Sequence, residues 1–141
     1  MPHSHKIKKT KQSVRGKQYS YPVPESGPPG KDTPVFSLQY MEDSHCISQC
    51  SEEQKVSFVD KMRALSQLTW NQIKLAPKHG LGSEKIPRAM FKVPIPDFVS
   101  EDEALLAIRF WNLAPMIGVR RNQIFHIIWF DKDFDVYDHG N

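Results

Sequence analysis

The chain has 141 residues, a quarter of them charged, and a formal net charge of +3; a domain of this size buries roughly two-thirds of the surface that its unfolded chain exposes. Its longest apolar run, Ile124–Phe130, is broken by His126 and falls far short of the ~20 residues of a membrane span, so a bilayer-crossing helix is excluded. The basic start has no apolar segment behind it, so no secretory signal is expected and a cytoplasmic location is predicted.

The charge is unevenly distributed. Residues 1–31 hold seven Lys and Arg against Glu25, a balance of +6, which leaves −3 for the rest. Total charge therefore does not make the body a basic nucleic-acid-binding domain. Residues 1–34 read as a disordered, flexible arm, basic and too rich in Pro and Gly to pack. Lys6, Lys8, Lys9 and Lys11 in this arm are candidate RNA contacts, because Lys and Arg bind phosphates without reading sequence.

A single α+β domain is expected over residues 35–141. Val35, Phe36, Leu38 and Tyr40 suggest a short extended segment. Cys46 and Cys50 lie four apart beside His45 but lack the second ligand pair of a tetrahedral zinc site; they read as reduced thiols, and no metal or cofactor is expected. Ser51-Glu52-Glu53-Gln54 has the form of a capping box, and the apolar spacing behind it (Val56, Phe58, Val59, Met62, Leu65) predicts a helix to about Leu68 with that face in the core. Thr69-Trp70-Asn71-Gln72 repeats the box, and the second helix must end before Pro77. Lys78, His79 and Lys85 surround Gly80-x-Gly82, where a backbone approach to phosphate competes with a plain turn.

Pro87, Pro94 and Pro96 preclude a central strand and predict an edge or extended connection. Three strands follow, Leu105–Phe110, Met116–Arg121 and Ile124–Phe130, expected to form an antiparallel meander, with Arg120-Arg121-Asn122-Gln123 turning the second into the third. Beyond them lie Asp131, Asp133, Asp135, Tyr137, Asp138 and His139.

Two helices before a meander, Arg109 and Arg120 on neighbouring strands, and the closing Tyr137 and His139 resemble the RelE/ParE toxin superfamily over about residues 35–139. The long arm, the proline-rich stretch 87–96 and the non-basic body depart from that pattern. The resemblance implies two N-terminal helices packed on a small antiparallel sheet, and a toxin-like endoribonuclease that cleaves mRNA on the ribosome. In that reaction the 2′-hydroxyl attacks the adjacent phosphate without a metal, and an antitoxin is the protein partner. His139 or His126 would exchange protons, Tyr137 would orient or protonate, and Arg109, Arg120 and Arg121 would neutralise charge at phosphorus, with Lys78 and His79 as second choices. The alternative is a noncatalytic interaction module, either a ParE-like inhibitor or a nucleic-acid tether using the arm.

Overall fold

A computed structural model of the chain describes residues 8–14, 17–23, 32–78 and 80–140. Lys6 and His79 lie outside them. Strands β1 (Lys8–Val14) and β2 (Lys17–Val23) pair antiparallel as a hairpin, with Thr10 opposite Tyr21. Over these stretches the expectation of an arm without regular structure is corrected; Lys8, Lys9 and Lys11 all lie on β1.

The body is built on a five-stranded mixed sheet in the order β3-β7-β6-β5-β4, where β3 is Val35–Ser37, β4 Ser83–Ile86, β5 Leu105–Trp111, β6 Ala114–Arg121 and β7 Ile124–Phe130. This overturns the expected architecture of two N-terminal helices on a small antiparallel sheet. The first strand of the body precedes both helices and pairs parallel with the last, Val35 opposite Ile124, and the helices lie in the connection between β3 and β4. The physical reason is that β3 is only three residues long and its partner is almost ninety residues away, so no local pattern announces the pairing or its direction. The meander itself, β5 to β7, is present where it was expected. Both of its two-residue turns place an Asn at positive φ, Asn112 at 52° and Asn122 at 55°, a conformation Asn tolerates well.

Helix α1 (Glu52–Leu65) and helix α2 (Trp70–Leu75) both start on complete capping boxes, from Ser51 with Gln54 and from Thr69 with Gln72. Phe58, Leu65, Trp70 and Ile73 pack with Ile108, Phe110, Phe125 and Phe130 on one face of the sheet. The predicted apolar face of α1 divides: Phe58 and Leu65 are buried, whereas Val56 and Val59 are more than half exposed. On the other sheet face the proline-rich segment supplies Met90, Phe91, Val93 and Ile95 against Val119, Trp129, Val136 and Tyr137. Thus β7 is covered on both sides, which is why it reads as a nearly continuous apolar run interrupted at His126.

A bulge between Ile117 and Gly118 lets β6 follow β7 here. A Cβ at Gly118 would fall within 1.9 Å of the His126 carbonyl oxygen, so only glycine fits. Among the described residues no helix is long and apolar enough to cross a membrane.

Candidate functional site

The chain after β7 winds around one carboxylate. Asp131 is completely buried; its Oδ1 accepts from the backbone N–H of Asp135 at 2.7 Å and of Val136 at 3.2 Å, and its Oδ2 lies 3.0 Å from His139 Nε2. Phe134 takes φ 59° to make the turn. A buried charge must be paired and hydrogen-bonded, so the short loop is shaped by the needs of Asp131, and His139 is delivered as one of its partners. With Nε2 donating to the carboxylate, Nδ1 of His139 carries the lone pair and is the atom left for proton exchange.

Two aromatic rings also hold the imidazole. Tyr137 stacks on it with ring centroids 3.9 Å apart, and Phe134 meets it edge-on at 5.3 Å. The segment carrying Tyr137 is stitched to the proline-rich stretch by Lys92 N–H to the Val136 carbonyl and Asp138 N–H to the Met90 carbonyl, each 2.8 Å. Stretch 87–96, a departure from the toxin pattern in sequence, thus anchors the site.

Tyr137 and His139 line a cavity of about 260 Å³ together with Arg109, Lys78, Lys85 and Glu84. Arg109 comes from β5, Lys85 and Glu84 from the edge strand β4, and Lys78 from the loop before it, 3.5 Å from Glu84. Burial, with help from the Glu84 charge, pushes the Tyr137 phenol up to about 12, while Arg109 pulls the other way. The phenol therefore keeps its proton at neutral pH and is available as a donor. The lining thus combines the His139 imidazole, a proton-bearing phenol and the cations Arg109, Lys78 and Lys85 with the acids Glu84 and Asp138, of which Glu84 pairs with Lys78.

Three residues expected at the same site stand elsewhere. Adjacent residues of a strand face opposite ways, and Arg120 and Arg121 separate accordingly. Arg120 lies over the Trp70 ring, 4.6 Å from its centroid, with Nε bonded to the Asn122 carbonyl at 2.7 Å. Arg121 makes a two-bond pair with Glu103, at 2.7 and 2.8 Å, and also donates to the Phe98 carbonyl. This pairing holds Glu103 far below the usual carboxylate range, at about 2. His126 is buried against Tyr40, its Nδ1 has no hydrogen-bond partner among the described residues, and burial and the Arg121 charge lower its pKa, so it stays neutral and lines none of the described cavities.

The glycine loop is a turn. Gly80 and Gly82 both donate their N–H to the Pro77 carbonyl, leaving neither for an anion. Gly82 is obligatory because a Cβ there would come within 2.2 Å of the Ala76 oxygen. His45 turns away from a zinc role: Nε2 is 2.8 Å from Asp135 Oδ1 and Nδ1 is 2.8 Å from Ser44 Oγ. His45, Asp131 and Asp135 bring ligand atoms within 4.8 Å of one another. Both oxygens of Asp131 are already taken by its loop and His139, so the group reads as a hydrogen-bonded frame.

Sequence reasoning weighed His45 only beside the zinc pattern, gave Asp131 no role at the site and missed Glu84. The available signal for Asp131 was its place directly behind a run buried on both sides, which draws a carboxylate into the core. No family model, curated protein or solved structure matches this chain.

Proposed function

We propose that the chain is an endoribonuclease that cleaves RNA through attack of a 2′-hydroxyl on its neighbouring phosphate, at the cavity of Arg109, Tyr137 and His139. The observation that carries this reading is the buried Asp131 fixing His139, with Tyr137 stacked on it, beside three cations in one cavity. In the step, His139 Nδ1 takes the 2′-hydroxyl proton while the 2′ oxygen bonds to phosphorus. The bond from phosphorus to the 5′ oxygen breaks, and Tyr137 gives that oxygen its proton. The products are a 2′,3′-cyclic phosphate and a 5′-hydroxyl, and the imidazolium returns its proton through solvent to the phenolate. Asp131 offsets the charge that forms on the imidazole, and Arg109, Lys78 and Lys85 offset charge on the phosphate oxygens. No metal takes part in this scheme.

The cellular setting that goes with it is a growth-arresting toxin in the cytoplasm, acting on mRNA at the ribosome, with an antitoxin covering the cavity. Support for that setting is the meander ended by Tyr137 and His139. Induced expression in a bacterial host, with growth and total mRNA followed together, tests it. Arrest with rapid mRNA loss is expected in parent cells and not in His139→Ala cells. Arrest with intact mRNA would point to a noncatalytic inhibitor, and equal mRNA loss in both would remove His139 from the chemistry.

A further inference from the structure

A second cavity, of about 320 Å³, lies across the edge of the sheet from the first, lined by Trp70, Lys74, Lys85, Leu106 and Arg120 among others. Strand parity puts the two on opposite faces. Ala107 and Arg109 point to the first, whereas Leu106, the register partner of Lys85, points to the second with Trp70. Lys85 lines both, β4 being the outer strand of the sheet. A strand of RNA leaving the first cavity over this rim therefore meets a cation on the way and a second cavity beyond it.

The second cavity suits a nucleotide. Leu106, Ala104 and the Trp70 edge give it apolar walls, and Lys74, Lys85 and Arg120 give it positive charge. Glu103, the acid among its lining residues, is already neutralised by Arg121. The guanidinium of Arg120 is held in place, its Cζ over the Trp70 ring at 4.6 Å from the centroid and its Nε tied to the Asn122 carbonyl. Arg planes are stacking platforms for unpaired bases as well as phosphate ligands, and the volume is at the low end of the ~300–1,000 Å³ of ligand sites. We infer that this cavity is a subsite for a nucleotide flanking the scissile phosphate of single-stranded RNA, with Arg120 as its stacking platform and Lys85 as the bridge to the reaction cavity. The inference rests on the endoribonuclease reading for its choice of ligand.

The test is binding of 2′-O-methyl RNA oligonucleotides of two and six residues to the full chain, alongside cleavage of the matching unmodified RNAs. The blocked 2′ oxygen cannot attack, so affinity is read without turnover. The parent chain is expected to bind the longer oligonucleotide more tightly. Arg120→Ala should remove about tenfold of that gain, the effect of losing one stacked base, and Arg120→Lys should restore only part of it, because an ammonium has no plane. A gain that is unchanged in folded Arg120→Ala and Arg120→Lys overturns the subsite, even where the parent cleaves RNA. An Arg120-dependent gain in a chain that cleaves nothing keeps the subsite and sinks the catalytic reading instead.

Discussion

The corner after β7 and the turn between β6 and β7 are both rich in ionisable groups, yet the protein uses them in opposite ways. At the turn, Arg121 is consumed by Glu103 and the Phe98 carbonyl, and tethers the segment before β5 to the sheet. At the corner, the buried carboxyl of Asp131 is satisfied by backbone N–H groups, and its partner His139 is set against a cavity lined also by Tyr137, three cations and two acids. An ionisable residue is a candidate for chemistry when its partners orient it and leave one functional atom open. Arg121 fails that criterion and His139 meets it.

The contrast is tested most strongly at His139. His139→Ala should cost RNA cleavage about 10²- to 10⁴-fold, the range for loss of a positioned proton-transfer group, and should also lower the melting temperature, because buried Asp131 Oδ2 loses its partner; initial rates on single-stranded RNA at a temperature where both chains are folded measure it. Tyr137→Phe keeps the stacked ring and removes only the phenolic proton, so a smaller loss of about 10²-fold is expected, visible in kcat. Because the phenol is held at about 12, the parent's rate profile should show no loss from its ionisation below about pH 11.

Stability should separate the two regions in the other direction. Asp131→Ala leaves two backbone N–H groups and His139 without their acceptor and should cost about 2–4 kcal/mol in denaturant unfolding. Breaking the half-exposed pair by Arg121→Ala should cost only about 1 kcal/mol and leave the Asp131 corner intact. The Arg121 pair also sets an acid limit. Glu103 is depressed from 4.5 to about 2, so its contribution is complete above about pH 4.5 and is lost as pH falls through 2. Unfolding midpoints of the parent should decline over that window more steeply than those of Arg121→Ala.

Much of the scaffold was legible in the sequence for local reasons. Ser51 with Gln54 and Thr69 with Gln72 are reciprocal caps whose spacing is a helix start, and Ile124–Phe130 reads as a strand because both its faces are covered. Strand β4 was not legible, since Ser83-Glu84-Lys85-Ile86 holds one large apolar residue and owes its pairing to β5. The parallel pairing of β3 was likewise hidden, being a contact between the two ends of the domain. Within the candidate site, Arg109, Lys78, Lys85, Tyr137 and His139 were picked out by residue type and do converge on one cavity. Arg120, Arg121 and His126 were grouped with them by residue type and by the toxin resemblance, and strand parity and burial part them. Asp131 was one of four aspartates in a row of polar residues, and only its depth sets it apart.

The central claim is that the Asp131-held His139 moves the proton of a 2′-hydroxyl. Its most direct measurement is end-group analysis of single-stranded RNA incubated with the purified full chain in excess chelator, beside His139→Ala and an RNA carrying one 2′-O-methyl group. Products ending in a 2′,3′-cyclic phosphate from the parent alone, with no cut at the methylated position, are the predicted result. Intact RNA with the parent, or equal cutting by His139→Ala, would contradict it.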